Sequence, residues 1–188
     1  MAEIIEDLKT IGPGFARAFP AFAGFTSAMF SIYTGKSDGF FLLGGMFINE
    51  IINDFLKTRV AKPIMGNKNI PLLGFGKRPQ GAKNTSNFLS EDIKEQQKLS
   101  TSYGMPSGHS QTATFFSTYL ILHILNGGGY QDSIMKYSSI VFLTGISFFI
   151  MASRVYLNCH TIQQVVVGGF LGSIFGAVYY TLIKKLSI

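Results

Sequence analysis

Three short polar strings border apolar segments of this 188-residue chain: Lys57 with the later Gly76-Lys77-Arg78-Pro79, then Pro106-Ser107-Gly108-His109-Ser110, then Ser153-Arg154 followed after five residues by His160. Clustered cations hold oxyanions, and two histidines can divide phosphoryl transfer between attack on phosphorus and movement of a proton. Arg154 offers phosphate oxygens a planar fork that a lysine does not copy. His160 is a good nucleophile when neutral, provided one ring nitrogen is bare and the N–H of the other is held. Gln164, one helical turn beyond it, is spaced to accept that N–H through its amide oxygen. The string from Pro106 to His109 precedes an apolar run, so a helix begins at Ser107 or Gly108 with unpaired backbone N–H groups and its positive dipole end. An anion fits there, with Gly108 permitting close backbone approach and His109 at the mouth as a proton donor or acceptor. The residues alone do not decide which histidine attacks. Their placement points to phosphate chemistry at a membrane surface.

The elements that position these strings are apolar. Hydrophobic residues make up 47% of the chain and charged ones 14%, with 21 glycines and 18 phenylalanines. The mean hydropathy of +0.29 is high for a soluble domain of this size. A crossing helix needs about 20 apolar residues. Five segments approach that, at about 13 to 34, 39 to 57, 109 to 127, 136 to 154 and 160 to 183. The reading is an all-α membrane bundle forming a single domain over residues 1 to 188, with a polar active-site loop at about 58 to 105. Because each crossing swaps the face on which the next loop emerges, all three strings fall on one face. Gly168, Gly172 and Gly176 form a small-residue stripe for close helix packing. In the second segment, residues 50, 53, 54 and 57 share a helical face, so Glu50 or Asp54 can hold Lys57 toward the site. His123, inside the third segment, reads as structural. The acidic start of the chain is unlike a cleavable signal peptide, so insertion is expected to use the first apolar segment.

The formal charge of +6 is concentrated in and just before the 58 to 105 loop, without interleaved aromatics, which argues against nucleic acid and leaves anionic lipid or a phosphorylated substrate. Positive-inside logic puts that loop in the cytoplasm, whereas the Asn84-Thr85-Ser86 acceptor pattern is usable only on a lumenal loop. A lone Cys159 excludes an internal disulfide. Neither metal-ligand spacing nor a nucleotide-binding glycine loop is present, so the expected mechanism uses no metal and no cofactor.

Taken in order, the three strings resemble the type 2 phosphatidic acid phosphatase superfamily, whose signatures are a lysine with Arg-Pro, Pro-Ser-Gly-His, and Ser-Arg with a following His. The resemblance runs from about Asn49 to Gly169. Asn49-Glu50 with Asn53 and Leu56-Lys57, Tyr103-Gly104-Met105-Pro106-Ser107, and Arg154-Val155-Tyr156-Leu157 with His160-Thr161 and Gln164-Val165 look most like the dolichyl diphosphatase branch. There a glutamine commonly stands where the wider superfamily has aspartate. The resemblance implies His160 as nucleophile and His109 as acid to the leaving oxygen. It implies Lys57, Arg78, Arg154, Ser107 and the Gly108 N–H as ligands of the phosphoryl oxygens, acting on a lipid phosphate or polyprenyl diphosphate. It also implies an endoplasmic-reticulum-like membrane for a eukaryotic chain. Phosphatidate or sugar-phosphate hydrolysis, or noncatalytic binding of phosphorylated lipid, are the alternatives. One spacing departs from the pattern: twenty residues separate Lys57 from Arg78, with Lys62-Pro63 between them. Arg78 is favoured as the only arginine before proline, Val60 to Lys77 then being an insertion; Lys62 is the rival.

Overall fold

The computed structural model describes the backbone of residues 2–66, 69–70, 75–82, 100, 102–127 and 132–186, and side chains from residue 14 onward except at 69, 70 and 75. The Asn84-Thr85-Ser86 pattern and the acidic residues 91, 92 and 95 lie outside the described residues. Five long helices dominate: α1 (Ala2–Thr34), α2 (Asp38–Phe55), α4 (Gly108–Leu125), α5 (Ser133–Tyr156) and α6 (Ile162–Leu186). A six-residue π-helical stretch, Leu56–Ala61, carries α2 into the short α3 (Lys62–Met65). The antiparallel pair β1 (Asn69–Ile70) and β2 (Phe75–Gly76) then turns the chain back.

The helix running on from α2 corrects one boundary. The second crossing was expected to end at Lys57, but helical backbone continues to Met65, so the polar segment starts later. Among the described residues, three helical runs are long and apolar enough to cross a membrane, namely Asp38–Met65, Ser133–Tyr156 and Ile162–Leu186. Their outer faces expose Phe47, Ile51, Val141, Phe142, Phe148, Val166, Phe170 and Val178, which is where a bilayer would satisfy an apolar surface.

Helix α4 is less apolar because it occupies the middle of the bundle and packs on α1, α2, α5 and α6. Its polar side chains are buried and paired. Asn53 Nδ2 donates to Gln111 Oε1 at 2.8 Å, and Gln111 Nε2 donates to Asn49 Oδ1 at 2.9 Å. Ser147 Oγ donates to Ser117 Oγ at 2.7 Å. Such pairs satisfy groups that would be costly in hydrocarbon and fix the register of neighbouring helices.

The glycine stripe of α6 meets α4 with a matching four-residue spacing. A Cβ added at Gly168 would lie 2.5 Å from Ser107 O, one at Gly176 would lie 2.7 Å from Phe115 O, and one at Gly172 would collide with Gln111 O. Backbone-to-backbone contact along this line fixes the start of α4 against the start of α6. Ala16, Phe19, Leu42, Met46, Phe115, Tyr119 and Ile150 fill the apolar core around it.

Candidate active site

The C-terminal end of α2, the N-terminal end of α4, the C-terminal end of α5 and the turn into α6 meet at one end of the bundle. Between them lies a cavity of about 360 Å³ whose lining includes Lys57, Arg78, Gly108, His109, Arg154 and His160, together with Arg17, Glu50 and Ser102. All three polar strings therefore reach a single space. Lys57 sits in the π-helical stretch, a local irregularity that often redirects a functional side chain. Its Nζ is close enough to Gly108 that an added Cβ would stand 3.4 Å away. The favoured Arg78 lines the cavity, whereas Lys62 is exposed on α3 and is not among the lining residues.

The turn after α5 ties Arg154 to His160. The backbone N–H groups of Cys159 and His160 both donate to Arg154 O, at 2.9 and 3.2 Å, and Asn158 takes the left-handed conformation common at helix ends. Arg154 is fully buried; its Nε donates to Ser153 Oγ at 3.3 Å, while its two terminal nitrogens have no hydrogen-bond partner in the structure. A buried guanidinium with unpaired N–H groups at a cavity wall is a strong anion ligand.

The partners of His160 assign its tautomer. Gln164 Nε2 donates to Lys77 O at 2.8 Å and to Gly76 O at 3.2 Å, which turns Oε1 toward His160 Nδ1 at 3.1 Å. That nitrogen must carry the proton, because the amide oxygen only accepts. His160 Nε2 faces Arg78 Nη1 at 3.1 Å, and a guanidinium only donates, so Nε2 holds the lone pair. Burial holds the imidazole well below its ordinary value; the Arg78 charge acts in the same direction, and the Gln164 bond opposes both. His160 is accordingly neutral at physiological pH, with a nucleophilic nitrogen facing the cations.

Arg78 is held by more than His160. Its Nε donates to Ser102 O at 3.2 Å, Nη2 to Ser102 Oγ at 2.8 Å, and Nη1 also to Cys159 O at 3.1 Å. Gln164 thus bonds both the ring of His160 and the two carbonyls immediately before Arg78. Gly104 is part of this arrangement: a Cβ there would lie 2.6 Å from Gln164 Nε2 and 2.8 Å from Arg78 N.

Two expected site residues lie behind the cavity wall. Ser107 is fully buried; its N–H donates to Gln164 O at 3.1 Å and its Oγ accepts from Ser110 Oγ at 3.0 Å. Gln164, also fully buried, reaches the cavity only through His160 and the Arg78 segment. On the opposite side, His109 Nε2 lies 3.1 Å from the carbonyl of Arg17, so this nitrogen donates and Nδ1 remains available to the cavity. Arg17 was not singled out as a site residue by the sequence, being one arginine in an apolar run; Glu50 was read only as a partner for Lys57. His123 lines a separate, largely apolar cavity of about 370 Å³ with Phe116 and Tyr119, away from the paired histidines. Among the described residues, no three His, Cys, Asp or Glu side chains are grouped to share a metal ion.

A helical bundle with membrane-length segments, carrying cations and two histidines in one terminal cavity, defines the class of membrane-embedded phosphate-handling proteins. Residues 38–188 match the model of the PAP2 superfamily, and the chain belongs to that superfamily. It is 29% identical over 150 residues to dolichyldiphosphatase 1 of Homo sapiens, covering 77% of this chain and 52% of the relative. It is 28% identical over 152 residues to the dolichyldiphosphatase of Saccharomyces cerevisiae, covering 81% and 54% respectively. Lipid phosphate phosphatase gamma of Arabidopsis thaliana is 28% identical over 169 residues, 89% of this chain and 62% of the relative. The chain spans about half the length of the dolichyldiphosphatases it matches. No solved structure matches significantly.

Proposed function

We propose that the protein is an integral membrane phosphatase that hydrolyses a lipid phosphate, with a polyprenyl diphosphate as the preferred class, through a phosphohistidine intermediate. The observation carrying this reading is the His160 arrangement: Nδ1–H is held by Gln164, and Nε2 lies at a cavity lined by Lys57, Arg78 and Arg154. Binding a phosphate requires cations; the held, neutral imidazole is what a nucleophile additionally requires. The relatives named as dolichyldiphosphatases and a lipid phosphate phosphatase support the substrate class.

In the proposed reaction, the incoming phosphoryl group displaces the Arg78 Nη1 contact from His160 Nε2. Arg154, Lys57, Arg78 and the N–H groups at the start of α4 then hold the equatorial oxygens. His160 Nε2 attacks phosphorus, and the electron pair of the broken P–O bond goes to the leaving oxygen. His109, once the negative charge of the bound phosphate favours its protonated form, supplies a proton there from Nδ1 when the leaving group needs one. Water then attacks the phosphohistidine, with His109 taking its proton, and orthophosphate leaves. Preorganised charge supplies most of the acceleration.

Phosphate release from polyprenyl diphosphate, phosphatidate and glucose phosphate, measured in detergent with chelator present, tests this reading. Wild-type protein should release phosphate and His160→Ala should not. Chelator-sensitive turnover would overturn the proposed chemistry. Binding of phosphorylated lipid without turnover would favour a noncatalytic lipid-binding protein.

A further inference from the structure

The two histidines of the cavity have different neighbours. Arg78 contacts Nε2 of His160. Arg17 lies beside His109, which its own carbonyl anchors, and its charge lies within electrostatic reach of Arg154. It comes from α1, which lies outside the 38–188 span matched by the superfamily model, yet it lines the same cavity. The family pattern therefore does not account for it.

Resting on the proposed phosphatase reading, we infer that Arg17 binds the phosphate that departs, and so selects diphosphate over monophosphate substrates. When the terminal phosphoryl group of a diphosphate moves to His160 Nε2, the bond to the bridging oxygen breaks and its electron pair stays on that oxygen. The departing group is then a phosphate monoester whose negative charge grows during the step. A cation beside it stabilises that change. A monoester such as phosphatidate releases an alcohol oxygen instead, which needs a proton and has no second phosphate for Arg17 to hold. Arg17 and His109, adjacent through the Arg17 carbonyl, thus serve different leaving groups: Arg17 a charged phosphate, His109 a basic alkoxide.

Arg17→Gln and His109→Ala, each assayed on polyprenyl diphosphate and on phosphatidate, should give opposite patterns. Arg17→Gln is expected to lower kcat/KM for the diphosphate on the order of 10- to 100-fold more than for phosphatidate, the loss of a charged hydrogen bond. His109→Ala should lower phosphatidate turnover more. Arg17→Lys should retain most of the preference because it keeps the charge. Equal losses on both substrates in Arg17→Gln, or Arg17→Lys behaving like Arg17→Gln, would overturn the inference while leaving the phosphatase reading intact. Absence of turnover by wild-type protein would instead remove that reading. Should Arg17→Gln be inactive on both substrates, the rise in Tm with pyrophosphate compared with orthophosphate decides the matter. A pyrophosphate advantage in wild type that is lost in Arg17→Gln supports the inference, and one that persists refutes it.

Discussion

Gln164→Glu separates two jobs that one amide performs. The substitution keeps the side-chain length and still offers His160 Nδ1 an acceptor, but it replaces the donor that binds Gly76 O and Lys77 O. A buried acceptor left without its donor costs about 1–3 kcal/mol. Gly76 is buried and Lys77 exposed, so only the first carbonyl pays in full, and carboxylate-to-carbonyl repulsion is added. A penalty of about 2 kcal/mol against the held segment displaces it roughly 30-fold toward release. Arg78 follows directly on that segment and is expected to be worth on the order of 10²-fold in rate as a phosphoryl ligand. Arg78→Ala should therefore cost on the order of 10²-fold in wild type and under about 10-fold in Gln164→Glu. The assay is kcat/KM for the four proteins of that cycle, with Tm recorded for each. If Arg78→Ala costs the same factor in both backgrounds, Gln164 does not position Arg78 and the reasoning fails.

Other perturbations test the remaining parts. His160→Ala should lower phosphate release on the order of 10³-fold or more, well beyond the loss of Tm from the buried hydrogen bonds it removes, and trapping of an acid-labile, base-stable phosphoprotein should be lost with it. Lys62→Ala, on the exposed α3 residue, should change kcat/KM less than about 2-fold, in contrast to Arg78→Ala. Because protonated His160 cannot attack and burial and Arg78 both lower its pKa, the acid limb it contributes should lie below pH 6.5. Arg78→Ala removes one lowering cause and should move that limb upward; a downward or absent shift in the kcat/KM profile would contradict the assigned contact. Gly104→Ala should displace the Gln164 amide and lower kcat/KM about 10-fold or more, since overpacking costs about 1–3 kcal/mol.

The bundle, and the convergence of most of the expected residues on one cavity, were legible because their signals are local. Apolar length marked the segments, the α6 glycines announced their own packing face, and the four-residue spacing of His160 and Gln164 matches the observed bond, although His160 lies in the turn before α6 and only Gln164 on the helix. What escaped the sequence depended on tertiary contact. The helix beyond Lys57 could not be read from a charged stretch containing Pro63, because the π-helical stretch and the early position of that proline in α3 are backbone solutions without a strong pattern. Ser107 was read as a phosphate ligand from its place in a motif, yet the approach of Gly168 uses it as a packing and backbone-bonding residue. Arg17 could not be read because nothing within α1 distinguishes a cavity-lining arginine from one reaching the headgroups.

The site is consequently built in two halves with different physical rigidity. Arg154, His160, Gly108 and His109 are set by helix ends: the Arg154 carbonyl closes the turn to His160, and the glycine line of α6 fixes that turn against α4. Lys57 and Arg78 are separated by twenty residues of chain, where added residues cost chain entropy only slowly with length. A longer connection can still deliver its arginine if a fixed point captures the chain just before it. Gln164 provides that point through the carbonyls of Gly76 and Lys77, and a carboxylate has no donor with which to do so. An amide at this position forgoes the charge stabilisation that a carboxylate would give an imidazolium. It supplies a donor that holds the Gly76 and Lys77 carbonyls, and the chain just before Arg78, close to His160.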